Sequence, residues 1–162
     1  MNAARIILAG ALLASGVALY AKPPMPVKPA APSGAELVAA RQSGMDMSAS
    51  AVTLLKNAGA NGVPLKNLAF PAGGLAKWAA VLPTLFSDNT KGVVSRAKPS
   101  VWSDRAGFAA RSAAYIDATK SLSAAISADD KPGFDAALAS IGAACKGCHE
   151  SYQVQPAAPK PS

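Results

Sequence analysis

An all-α fold, an antiparallel up-down-up-down four-helix bundle, is what this sequence predicts, and three observations predict it. The last quarter of the chain carries apolar residues in a heptad register. Three further helical stretches lie upstream, set apart by Pro- and Gly-containing breakers, and the alanine-rich C-terminal sequence shows no convincing strand.

The first helix is expected over about Gly34 to Asn57. It carries two adjacent stripes, Leu37, Ala40, Gly44, Met47, Ala51, Leu54 and Val38, Arg41, Met45, Ser48, Val52, Leu55, and Asn57-Ala58-Gly59 supplies a stop. In the second, Pro64 and Pro71 interrupt the pattern and Gly73-Gly74 weakens it, so the regular part is placed at Pro71 to Val81. Its apolar face is read as Trp78, Val81, Leu82, Leu85 and Phe86, with Leu68 and Phe70 packing ahead of the proline. A polar loop rich in Gly and Pro, Ser87 to Val101, then lets the second and third helices lie antiparallel. The third helix opens at Trp102-Ser103-Asp104 with Ser103 as its N-cap. It sets Phe108, Ser112, Tyr115, Thr119, Leu122 and Ile126 on one face and ends near Asp129. The fourth, about Lys131 to Gln153, takes Pro132 in its first turn, with Asp129 and Asp130 favourable near the positive end of the helix dipole.

Phe134, Leu138, Ile141, Cys145, Cys148 and Tyr152 form the seam of that last helix, at alternating steps of four and three. Two of these belong to Cys145-Lys146-Gly147-Cys148-His149, and Cys-x-x-Cys-His is the sequence at which haem is covalently attached. The thiols add to the haem vinyl groups as thioethers, and the adjacent imidazole is then held where it can ligate iron. Cys145 and Cys148 are the only cysteines, and His149 is the only histidine. A structural zinc site usually wants four such ligands, and this chain has three. A thioredoxin-like pair would need a strand beside the motif. Covalent haem c, one per chain in the core of the bundle, is therefore the expected cofactor, its sulfurs facing the other helices and His149 on the flank of the seam.

Met1 to Ala21 carries Arg5 and then the apolar run Ile6 to Tyr20, which is short and rich in Ala and Gly for a membrane span. It reads as a signal peptide, with cleavage expected and an uncleaved anchor as the alternative. Residues 22–32 form a proline-rich linker, 33–155 the bundle, and 156–162 a disordered tail. The formal net charge is +7, or +6 once Arg5 leaves with the signal. Such a charge favours acidic partners, but Lys56, Lys66, Lys77, Lys91, Lys98 and Lys120 form no run and no basic stripe with aromatics that would point to nucleic acid.

Several residues together resemble the class II cytochromes c, which comprise cytochrome c′ and its low-spin relatives. They are Arg41-Gln42 followed by Met45, Leu75-Ala76-Lys77-Trp78 with Phe86, Lys98-Pro99-Ser100-Val101-Trp102-Ser103-Asp104 with Phe108, and the haem motif close to the C-terminus. The resemblance implies that Cys145 and Cys148 hold haem, that His149 is the proximal ligand, and that Arg41 and Gln42 lie against the haem and its propionates. Thr90 resembles a loop residue near the haem in some members. Met45 matches the position that points at the iron: in low-spin members a methionine there is the sixth ligand, whereas in cytochromes c′ the iron stays five-coordinate. Met47, on the neighbouring stripe, is read as core filling. One departure is Gln153, where cytochromes c′ generally carry Arg or Lys four residues after the proximal histidine.

The expected function is a periplasmic electron carrier with His149 and Met45 on the iron, in which a His/Met pair raises the potential relative to two nitrogen ligands. The alternative is a five-coordinate protein that binds nitric oxide or carbon monoxide. No enzyme is expected, because peroxide chemistry wants a distal His or carboxylate and the sole histidine is committed to the iron. The partners expected are acidic redox proteins of a periplasmic chain. A homodimer is compatible with the resemblance, and membrane contact is expected only if the signal stays uncleaved.

Overall fold

The computed structural model describes residues 30–155; the signal segment, most of the proline-rich linker and the 156–162 tail lie outside the described residues. Helix α1 spans Gly34–Ala60, α2 Ala69–Val81, α3 Ser100–Ser103, α4 Arg105–Ser127 and α5 Lys131–Tyr152, with 3₁₀ turns at Leu65–Leu68, Leu82–Phe86 and Asp88–Thr90. The four long helices make the bundle and α3 is a single turn ahead of α4. Helix α5 packs along α4, α4 along α2 and α2 against α1, whereas α1 meets α5 only locally, where Gly59 faces Phe134. The fourth side of the bundle is therefore where a cofactor can sit.

Ser33 starts α1 with a reciprocal capping box, its Oγ accepting from Glu36 N at 3.2 Å while Ser33 N donates to Glu36 Oε2 at 2.7 Å. The helix runs past the stop expected at Asn57-Ala58-Gly59 and ends at Ala60. Gly62, at φ 71, turns the chain beyond Asn61. The stripe of Val38, Arg41 and Leu55 faces inward with these three buried, and Gly44 of the other stripe and Gly59 are buried as well. Met47 is 72% exposed, so it does not fill the core as expected.

Pro71 does not delay α2, which begins two residues earlier at Ala69. A proline in the first turn forfeits no intrahelical bond, because those N–H groups have no partner in any case. The buried face of this region is Leu68, Ala72, Leu75, Ala79, Leu82 and Phe86. Two readings are corrected here: Phe70 stands 92% exposed and Val81 is also exposed. The chain leaves α2 through the 3₁₀ turn that contains Pro83, and this re-aims Phe86 toward the open side.

Asp104, not Ser103, caps α4, its carboxylate accepting from Gly107 N at 3.0 Å. Ser103 is spent in α3, whose start follows Pro99. The α4 face is as expected, with Phe108, Ser112, Tyr115, Thr119, Leu122 and Ile126 all buried. Helix α5 is capped by Asp130, which accepts from Gly133 N at 3.0 Å, and its seam from Phe134 to Ile141 lies in the core.

Asp104 also accepts the Tyr152 hydroxyl at 2.7 Å, tying the start of α4 to the end of α5. The Tyr152 hydroxyl, then the Gly107 N–H, hold its carboxyl below the ordinary aspartate range. A depressed folded value means that the stabilisation is present above pH about 3.9 and is lost as pH falls through the folded value. Asp104→Ala is expected to lower the melting temperature through loss of the cap. Tyr152→Phe should leave the cap but flatten the acid limb, which thermal melts between pH 6 and pH 2 would read.

Candidate functional site

Two adjoining clefts open on the side left free between α1 and α5, with volumes of about 360 and 320 Å³. Met45, Phe86, Phe108, Cys148 and His149 line both, so they are two parts of one hollow. Each lies in the range of cofactor-sized cavities. The inner part is walled mainly by Val52, Leu82, Ile141 and Ala144. Its two serine hydroxyls are spent on the backbone, Ser48 Oγ donating to Gly44 O at 2.7 Å and Ser112 Oγ to Phe108 O at 2.9 Å, and its other polar side chains besides His149 are Tyr115 and Arg111.

The heptad of α5 brings Cys145 and Cys148 to this wall half-buried, with His149 beside them. Burial first, and for Cys148 also the nearby Cys145, pushes both thiols up, so they stay protonated at neutral pH. Burial also lowers His149, helped by the positive charge of Arg96. A neutral imidazole is the form that binds a metal. Tyr115, on the same wall, is pushed up to about 12 by its apolar surroundings. Among the described residues no group of three or more His, Cys, Asp or Glu converges on a metal position, so the zinc reading lacks a ligand set.

Arg41 enters the outer part from α1 and is 4% exposed. Its Nη1 donates to Leu85 O at 3.3 Å and Nη2 to Ser95 Oγ at 2.9 Å, while the guanidinium lies 4.4 Å from the centre of the Phe86 ring. Such burial excludes a side chain that snorkels to water. All these partners are neutral, and among the described residues Arg41 makes no ion pair. A buried cation satisfied only by neutral acceptors fits a cofactor that brings its own carboxylates, as haem does. Gln42 lines the same cleft but is exposed.

An aromatic ladder continues from Arg41 along the cleft. Phe86 meets Phe108 edge-on at 4.9 Å, and Phe108 meets Tyr152 at 5.4 Å. Sequence reasoning placed these three side chains on separate faces and did not join them. Thr90 is fully buried, but it donates to Ser87 O at 2.7 Å and lines neither cleft. The sequence reading also passed over Arg96, which lines the outer cleft from the loop. Nothing in its local sequence distinguishes it from the other exposed basic residues.

The residues present thus suit haem: two thiols and an imidazole on one helix, an apolar hollow against them, and an unpaired guanidinium at its edge. The sequence profile of the family described as Cytochrome C′ matches residues 36–153. The chain is 40% identical over 73 residues to a cytochrome c′ of Pararhodospirillum photometricum, an alignment covering 44% of this chain and 58% of that relative. It thus spans little more than half the length of that curated relative. A ferrous variant of cytochrome c′ from Alcaligenes xylosoxidans with nitric oxide bound superposes with a TM-score of 0.71 at 28% identity, covering 78% of this chain and all of that one. A carbon monoxide-bound variant of the same protein gives 0.70 at 29% identity, over 76% of this chain and 98% of that one.

These likenesses overturn the expectation of a His/Met-ligated electron carrier. The relatives are cytochromes c′, and the similar structures hold nitric oxide or carbon monoxide, which favours the gas-binding alternative. Met45 lines both parts of the hollow, its half-buried side chain also packed against the hydrophobic core. With its family profile, its four-helix bundle and its paired cysteines in agreement, this chain belongs to the cytochrome c′ family and carries covalently bound haem c.

Proposed function

We propose that this is an exported, non-catalytic haem protein that binds nitric oxide or carbon monoxide at an iron held by His149 alone among its side chains. The observation that carries the proposal is the apolar inner cleft, whose serine hydroxyls are spent on backbone carbonyls. When bound, haem supplies an iron with a coordination position free for a neutral diatomic molecule. Everything else is the work of the chain. Cys145 and Cys148 anchor the ring to α5, and the next residue in sequence, His149, reaches the iron from the same helix. Arg41 receives a propionate on a guanidinium already fixed by Leu85 O and Ser95. With Met45, Val52, Leu82 and Phe108 in its apolar wall, the inner cleft offers peroxide no carboxylate and no histidine besides His149.

Export to the periplasm belongs to the proposal and is supported by the apolar run at Ile6 to Tyr20 and by the chemistry of haem attachment. The formal net charge, +6 once Arg5 leaves with the signal, supports acidic protein partners at its surface.

Absorption spectra of the purified protein test the proposal. The ferrous form is expected to be high-spin and to change spectrum on adding carbon monoxide or nitric oxide, and Met45→Leu should leave the unliganded spectra as they are. A low-spin ferrous spectrum that ignores both gases would overturn it.

A further inference from the structure

The loop between α2 and α3 is clamped to the end of α5 by bonds running both ways. Arg96 Nε donates to Val154 O at 3.2 Å and Nη2 to Gln153 Oε1 at 3.1 Å. In return Val154 N donates to Arg96 O at 2.7 Å, and from the loop side Lys98 N also donates, to Tyr152 O at 2.8 Å. Lys98 Nζ reaches Glu150 O, also at 2.8 Å. A single β-bridge joins Ala97 to Gln153. This strap holds the last turn of α5, the turn that presents His149, and places the Arg96 guanidinium on the same cleft wall.

The acceptors that hold Arg96 are neutral, so its charge is oriented without being cancelled. Among the described residues it makes no ion pair. Of the carboxylates nearby, Asp46 lines the outer cleft from α1, and Glu150 is exposed on α5 with Lys146 Nζ at 3.9 Å. Arg41 and Arg111 face the hollow from α1 and α4, so Arg96 is the cation delivered from the loop side.

We propose that Arg96 is a positioning residue for the haem site, a loop-borne guanidinium seated on Gln153 and Val154 that fixes the charge on the histidine side of the iron and thereby raises its reduction potential. A fixed positive charge favours the state with the added electron, and the strap is what keeps a long exposed side chain there. The neutral side chain at Gln153 acts as the dock for a charge carried by another segment. The proposal rests on His149 being the iron ligand.

The test is the midpoint potential of the holoprotein by spectroelectrochemical titration at about 10 mM salt, where the screening length is about 30 Å. Arg96→Gln is expected to lower the potential and Arg96→Lys to stay near the parent. Arg96→Gln combined with Gln153→Arg should recover it, because the charge returns from the helix. The difference between Arg96→Gln and the parent should shrink at about 1 M salt. An unchanged potential in Arg96→Gln would overturn the proposal, as would a fall in Arg96→Lys as large as in Arg96→Gln, which would mark a structural role. The ligand assignment fails separately, if His149→Gly keeps the parent's ferric spectrum.

Discussion

A chain carrying both Cys145→Ala and Cys148→Ala is expected to keep no haem through a denaturing gel, so that haem staining of its band falls from full intensity to none. Each single variant should retain the stain, because one thioether survives, with its reduced absorption band displaced from the parent's. The reason lies in α5. The two sulfurs stand on one seam and both line the hollow opposite α1, so each is placed to bond the same ring. Without them the ring would be held by His149, by Arg41 and by the apolar wall. Those contacts are reversible, and an apolar haem acceptor in excess would then drain the protein. A stained band from the double variant would contradict the attachment. The undenatured double variant should also melt at a lower temperature, since a hollow of cofactor size on one side of the bundle is no longer permanently filled.

How far this site was legible in the sequence follows from how local each feature is. The α5 seam is a repeat within one helix, and Phe134, Leu138, Ile141 and Tyr152 are buried where the heptad puts them. Arg41 was an odd charge on an inward stripe, and the structure buries it with no anion. The misplacements occur where the outcome depends on a neighbour. Met47 and Phe70 are apolar residues that no element in the described chain covers, and periodicity alone does not say which of two adjacent stripes is paired. Ser103 and Asp104 are both good caps, and the choice went to Asp104, which also accepts Tyr152 from 48 positions away. Arg96 was invisible for the same reason: its partners lie 57 and 58 positions on. Met45 shows a different limit. Its face and register were read correctly, but a thioether aimed into a haem cleft is chemically suited both to ligate iron and to pack against it.

The end of the bundle remote from the haem offers the largest stability effect. Phe134 is fully buried at the start of α5, and its ring lies against α1 where the chain has Gly59. A Cβ at position 59 would fall 2.5 Å from Phe134 Cε1, inside any permitted contact, and the ring is fixed by the core around it. The backbone of α1 therefore approaches α5 here closely enough that only a missing side chain admits the phenyl group. Phe134→Ala is expected to cost about 3–5 kcal/mol, the range for deleting a buried aromatic side chain. Gly59→Ala should cost about 1–3 kcal/mol through overpacking, despite the better helix propensity of alanine. If steric exclusion is the whole reason for the glycine, the two changes must compensate. Gly59→Ala in the Phe134→Ala background puts a methyl group into the space the ring has left, and there it should be neutral or stabilising. Denaturant melts of the four chains close a double-mutant cycle, and a coupling of about 1–3 kcal/mol is expected. Simple additivity would mean that Gly59 serves something other than the passage of Phe134.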